Sequence, residues 1–450
     1  MKSPLNLLGE KSQMAKKDSK PSTTILVTIF IFFSTSGFGN FCLAQEKEDE
    51  NVPSRQIPVE ERDTGDSLVE DLVELPGDIV TFPLKLGFRG VGRLAKFMDY
   101  HAIVLRVTDW LTSEDEKTKL RPVFMSTSGG GLAFRQNDFL KPGMKLRASA
   151  SFGIRTRRNL YWGVRDPHFL SSRFRIEAAG FYARLPDDDF FGIGNNSSRQ
   201  NETNYLYEER NLKFDVLSRI GRHLLAVGIA YSNTDIREGR DPDKPTLGSV
   251  FAPAEVPGFF GAKMWSLQVK FYHHTRDESG HPTRGGETYI AYEFSDEIDG
   301  DTFGYGKLTI DLRRYTNLFY KRVLALRVRA EITDNLKNKQ IPFYRLSALG
   351  GQFGLRGYRP VRFRDNDALL GGAEYRWQVH SQAIAYGFFE EGRVFSNVFD
   401  DFSFKGFRYA FGGGLRLKGS DGGLIAVLEI ARSKEQIRFN FGLNTEIRKF

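Results

Sequence analysis

Apolar and polar residues alternate one by one through most of this chain, and no other feature restricts its fold as much. Leu146, Ala148, Ala150, Phe152 and Ile154 share one parity, against Lys145, Arg147, Ser149 and Ser151. Phe407, Tyr409, Phe411, Gly413, Leu415 and Leu417 stand against Arg408, Ala410, Gly412, Gly414, Arg416 and Lys418. Ile437, Phe439, Phe441 and Leu443 stand against Arg438, Asn440 and Asn444. Successive side chains of a strand point to opposite faces, so each segment is a strand with one apolar or small face and one polar or basic face. A soluble sandwich hides the apolar face, whereas a membrane barrel turns it to lipid and keeps the polar face inside.

No stretch after residue 44 is apolar for long enough to cross a bilayer as a helix. The 13% of aromatic residues and the 45 glycines, beside a modest 40% of hydrophobic residues, fit a barrel in which only alternate residues meet lipid. Counting segments predicts an all-β, transmembrane antiparallel β-barrel of about sixteen strands over 119–450. In the second half the strands are expected near 302–316, 321–335, 343–350, 367–380, 382–395, 405–418, 422–433 and 437–450. The first half is interrupted by long connections at 185–204 and 235–262. The barrel should close, because an unpaired edge amide costs several kcal/mol in hydrocarbon.

The N-terminus reads as an export signal over 1–44. Lys16, Lys17 and Lys20 precede an apolar core from Thr24 to Phe33, with Ala44 before Gln45 as the cleavage point. Met14 makes a more typical start than Met1, and an uncleaved anchor is the rival reading. Cys42, the only cysteine, falls inside this segment, which excludes disulfides and cysteine metal sites from the processed chain. Residues 45–75 carry eleven acids against Lys47, Arg55 and Arg62 and read as a disordered linker. Residues 76–118 show helical spacing at Val91, Leu94, Phe97, Met98, Ala102, Leu105 and Trp110, which predicts a short periplasmic amphipathic segment. With +3 on residues 1–44 and −8 on 45–75, the total of +8 leaves +13 for 76–450. A basic body behind an export signal suits the bacterial outer membrane, whose lipopolysaccharide presents phosphates, rather than nucleic acid.

One loop stands out: Leu349-Gly350-Gly351-Gln352-Phe353-Gly354-Leu355-Arg356-Gly357-Tyr358, on the count above between the eleventh and twelfth strands. Strand twelve puts Glu374 on the face of Gly372, Arg376 and Gln378, and strand thirteen puts Glu390 on the face of Tyr386 and Phe388. If both acids face the lumen, Arg356 can pair with either or both through its forked guanidinium and pin the loop. Gly350 and Gly351 would let the chain enter the lumen, and Gly357 would let it turn sharply.

This Gly-rich loop with Arg356-Gly357-Tyr358 resembles the inward-folded loop of the BamA/TamA-like outer-membrane assembly barrels, the bacterial surface antigen family. Ile341-Pro342-Phe343-Tyr344, Arg362-Phe363-Arg364, His281-Pro282-Thr283-Arg284-Gly285-Gly286 and Glu374-Tyr375-Arg376 extend the resemblance. The resemblance implies that the loop arginine pairs with acids on the two following strands. The family's Phe-x-Asp-x-Gly stands here as Phe388-Phe389-Glu390-Glu391-Gly392, with a side chain one methylene longer at the acidic position. Such barrels usually carry periplasmic receptor domains, and none is evident in 45–118. Phe450 resembles the terminal aromatic that marks barrels for insertion. It has the opposite parity to Phe439 and Phe441, so either a bulge near Thr445 shifts the register or Phe450 points away from lipid.

The other candidates are thin. His273, His274 and His281 flank an acidic turn, but loop histidines are ordinarily solvated, so neither a metal nor a cofactor is expected. Gly192-Ile193-Gly194-Asn195 lacks the setting of a nucleotide loop, and no nucleophile elbow or other catalytic motif is found. The expected function is non-enzymatic: a monomeric outer-membrane barrel that inserts or exports client proteins through a weak seam, about 119–135 against 437–450. The alternative is a passive pore or structural barrel that handles no client.

Overall fold

The computed structural model describes residues 117–125, 129–169, 173–278, 281–351, 354–418 and 424–443. The expected export signal, the acidic linker, the 76–118 segment except its last two residues, and Phe450 lie outside the described residues.

The alternating segments form β1 (Thr118–Met125), β2 (Gly129–Asn137), β3 (Lys145–Phe152), β4 (Arg158–Asp166), β5 (Phe174–Phe190), β6 (Thr203–Ile220), β7 (His223–Glu238), β8 (Gly261–His274), β9 (Gly285–Glu297), β10 (Gly304–Phe319) and β11 (Arg322–Asn335). Two three-residue strands follow, β12 (Ser347–Leu349) and β13 (Phe363–Asp365), then β14 (Asp367–His380), β15 (Ala383–Phe395), β16 (Arg408–Lys418), β17 (Leu424–Ser433) and β18 (Ile437–Leu443). All but β12 and β13 form one closed barrel in which β14 lies beside β11 and β18 returns to β1. The wall therefore has the expected sixteen antiparallel strands.

Two strand assignments differ from expectation, and they offset each other in the count. Residues 343–350 leave the wall: Phe343–Arg345 make a 3-10 turn, and β12 pairs with β13. Phe343, Leu346, Ser347 and Leu349 are all buried, so this segment is covered on every side and lacks a lipid face. Conversely, 119–135 is two strands, β1 and β2, with Thr118 opposite Gln136 and Met125 opposite Gly129. β1 ends at Met125 and β2 begins at Gly129, and the sequence between them, Ser126-Thr127-Ser128, is of residue types favoured in turns. The connections expected at 185–204 and 235–262 shorten to 191–202 and 239–260, because β5, β6 and β7 run 17, 18 and 16 residues. A bulge between Leu185 and Asp188 carries β5 past Pro186, which cannot donate to a ladder.

Loop length distinguishes the barrel ends. The connections at 191–202, 239–260, 336–366 and 396–407 share one end, while turns as short as 221–222, 320–321 and 381–382 close the other. Outer-membrane barrels have short periplasmic turns and longer outer loops, so the first end is external. The outward face is apolar and open, with Val227 51%, Ile229 58% and Phe439 75% exposed. Beneath the external loops the lumen is filled by Phe190, Tyr205, Ile236, Met264 and Tyr305 from the wall, packed with Leu247, Val256, Ile341, Phe343 and Leu346 from the loops.

The wall closes between its first and last strands, β1 and β18. Among the described residues, β1 meets β18 only at Phe124 opposite Leu443 and Met125 opposite Gly442.

Candidate functional site: the lumenal arginine loop

The 336–366 connection folds into the barrel, and the chain chemistry at its turn accounts for the path. Gly350 and Gly351 adopt φ of 119° and 92°, a region closed to most side chains. A Cβ on Gly350 would also lie 2.2 Å from the carbonyl oxygen of Arg359. Gly357 differs from expectation, being absent from the positive-φ residues and needed instead for close approach. A Cβ there would come within 2.6 Å of the carbonyl carbon of Arg432 in β17, and the Ser433 hydroxyl donates to the Gly357 carbonyl at 2.9 Å. Leu355 and Tyr358 are buried with Leu349, Phe363, Leu370 and Val394, which seats the loop on the inner faces of β14 and β15.

This seating delivers Arg356 to a cluster of acids. Its backbone N–H donates to Glu390 Oε2 at 2.9 Å and its Nε to Glu390 Oε1 at 2.8 Å. Its Nη1 donates to Glu374 Oε2 at 3.2 Å and to Glu429 Oε2 at 2.8 Å. The guanidinium carbon lies 3.4 Å from the centroid of the Phe388 ring. The one Glu390 carboxylate thus takes both the backbone and the side chain of Arg356. Small inward residues, Gly372 and Ala410 opposite Glu390 and Gly412 opposite Phe388, leave room for the loop.

Three members of the cluster, Glu429, Arg416 and Arg376, were not assigned to it from the sequence. Glu429 is the third acid, held by the Tyr386 hydroxyl at 2.9 Å and by Asn440 at 3.0 Å. Glu374 belongs mainly to Arg416, at 2.6 and 3.0 Å, and to Arg376 at 2.7 Å. The buried set thus holds three carboxylates and three guanidinium groups, and it is neutral. Burial would lower the proton affinity of Arg356, but Glu390, Glu374 and Glu429 outweigh it and raise that affinity, so the group stays charged. Glu429 had a usable signal, since it is the one acid in the otherwise apolar run Leu424-Ile-Ala-Val-Leu-Glu-Ile-Ala431.

Four further arginines tie the loop to other parts of the wall. Arg345 reaches Glu209 of β6 at 2.8 Å, and Arg359 reaches Asp189 of β5 at 3.1 Å and Glu202 at 2.5 Å. Arg362 reaches Glu435, between β17 and β18, at 2.9 Å, and Arg364 donates to the Tyr205 hydroxyl at 2.8 Å.

The histidines weighed as ligands do not converge. His273 has the parity of the outward Trp265, Leu267 and Val269 and stacks on His223 at 4.5 Å, while its neighbour His274 points inward beside Tyr272. The His281 turn is organised by Asp277, whose carboxylate accepts the N–H groups of Thr283 and Arg284 and the Thr283 hydroxyl.

Comparison with known proteins adds three findings. The model of the Omp85 superfamily domain matches residues 138–447. No curated protein sequence matches the chain significantly. Among solved structures, BamA from Haemophilus ducreyi lacking POTRA domains 1-3 is similar over 73% of this chain and 70% of that one, at 15% identity and a TM-score of 0.54. CdiB from Escherichia coli is similar over 73% of this chain and 62% of that one, at 11% identity and a TM-score of 0.50, so the chain spans under two thirds of CdiB. At such identities the likeness is one of fold. The family match covers the wall from β3 to β18 together with the lumenal loop, and on that extent the protein belongs to the Omp85 superfamily and is a barrel of the bacterial outer membrane.

Proposed function

We propose that this barrel inserts or exports other proteins in the outer membrane, and that clients engage it at the edge between β1 and β18. The observation that carries the reading is that the barrel closes between its first and last strands, where Phe124 and Met125 stand opposite Leu443 and Gly442. Once opened, an edge with unpaired N–H and C=O groups templates an added strand. Arg356, with Glu374, Glu390 and Glu429, serves as the pin of the lumenal loop, and Gly350, Gly351, Leu355, Gly357 and Tyr358 give the loop its path. Pinned there, the loop supports β14, β15 and β17 while the neighbouring edge changes partners. The barrel works as a monomer among phosphorylated outer-leaflet lipids, and no step requires catalytic chemistry.

Depletion of the protein tests this reading, with the outer-membrane and secreted proteomes quantified afterwards. Selective loss of other barrels or of exported proteins is expected. An unchanged proteome overturns the client-handling role and leaves a pore or structural barrel.

A further inference from the structure

The outward face of the external rim carries two adjacent cations with no ion-pair partner among the described residues. Arg158, the first residue of β4, stands directly opposite Arg184 of β5. Both share the parity of Leu160 and Trp162, which are 40% and 44% exposed on the outward face. Residues opposed in an antiparallel ladder hold their Cβ atoms about 5 Å apart, where like charges destabilise the pair. Among the described residues no carboxylate forms an ion pair with either arginine. Glu208 of β6 opposes Arg184 on its other side, yet it accepts from Arg210 at 2.9 Å and from the Tyr182 hydroxyl at 3.3 Å. Asp187 is taken by Arg157 at 2.7 Å and by Arg155. Among the described residues neither Arg158 nor Arg184 has a hydrogen-bond or ion-pair partner, and Arg184 Nε is buried without one. Other cations on this rim are matched, Lys263 with Asp299 at 2.5 Å and Arg237 with Asp235 at 3.5 Å.

The surroundings specify what would complete the pair. One step toward the membrane centre, Tyr182 stands opposite Leu160, and Trp162 follows on the same face. Tyr and Trp on the outer wall of a barrel mark the level of the lipid headgroups. A missing anion at that level, on the external end, is a headgroup of the outer leaflet. Two guanidinium forks side by side suit a tetrahedral phosphate, which offers each a pair of oxygens.

We propose that Arg158 and Arg184 bind a phosphate of a phosphorylated outer-leaflet glycolipid, with its acyl chains lying along Leu160 and Trp162. The proposal rests on the outer-membrane placement and not on client handling, so either can fail without the other. The test uses the full chain in mild detergent, stripped of lipid and mixed with micelles of diphosphoryl lipid A or its dephosphorylated form, the bound lipid being measured by mass spectrometry. The Arg158→Gln/Arg184→Gln double variant should retain about tenfold less diphosphoryl lipid A than wild type, the loss expected for two charge-assisted contacts. Arg158→Lys/Arg184→Lys should retain most of it, and dephosphorylated lipid A should bind wild type as weakly as the glutamine variant binds the phosphorylated form. Equal retention by wild type and the glutamine variant, or equal binding of the two lipids, overturns the proposal. Heat-modifiable gel mobility reports folding, and if the double variant does not fold, Arg158→Gln alone gives the same comparison.

Discussion

Removing the Arg356 side chain would leave Glu374, Glu390 and Glu429 with only Arg376 and Arg416 for neutralisation, an uncompensated negative charge in a buried site. Breaking a buried ion pair from one side costs about 3–5 kcal/mol, because the stranded partner stays desolvated. Arg356→Ala should therefore still close the barrel but unfold at lower temperature in heat-modified gel mobility. Glu390→Gln should do less, about 1–3 kcal/mol, since a glutamine carbonyl can still accept the Arg356 backbone N–H that Glu390 Oε2 accepts now. Wild-type mobility in both variants would remove the pin from the account. Arg356 and its two expected acids could be read from parity and from the resemblance. The third acid stood out in the apolar run of β17, but its pairing with Arg356 could not be read, because Glu429 sits two strands beyond β15 and comes to Arg356 only through the curvature of the wall.

At the scale of the element, the lumenal loop depends on how close its backbone comes to β17. Gly357→Ala would set a methyl against the Arg432 carbonyl, and that carbonyl cannot retreat while Arg432 opposes Phe411 and Ile437. We expect the loop to detach, with cleavage near 350–362 under limited proteolysis while the wall stays protected. Gly371→Ala is the matched control, since its added Cβ would meet nothing nearer than 4.0 Å. Unchanged cleavage in Gly357→Ala would show that the loop is held without this contact. The wall strands of this region were legible because each has one lipid face. The segment at 343–350 was not, since a chain inside a barrel is covered all round and its apolar residues no longer report a single face. Pro186 and the aspartates after it likewise look like a loop, and only the bulge explains how β5 continues through them.

For the whole molecule, a large closed barrel was legible from periodicity, but the number sixteen came from two offsetting errors: 343–350 was counted in the wall, and the hairpin at 119–135 was counted as one strand. The proposed seam can be tested directly because Cys42 is the only native cysteine. Phe124→Cys with Leu443→Cys, opposite each other across the edge, should stop client handling when oxidised and recover on reduction. Activity unaffected by oxidation would place client entry elsewhere. The lumen carries its own prediction. With Phe190, Tyr205, Phe343 and their neighbours packed under the external loops, wild type should conduct little in planar bilayers. Arg345→Ala/Arg359→Ala, which frees the loop from Glu209 and Asp189, should raise the conductance, whereas steady wild-type conductance would favour the passive pore.

The loop's arginines also divide the barrel mechanically. Their ties fall on two opposite arcs of the wall, β5 and β6 on one and β14, β15, β17 and the turn before β18 on the other. The two arcs are braced against each other through the lumen, like a rim held by spokes. Any parting at the β1–β18 edge would then be taken up between them, by β1 to β4 swinging as a leaf from β5. Amide exchange in a client-engaged barrel should accordingly quicken in β1 to β4 and stay slow from β14 to β17.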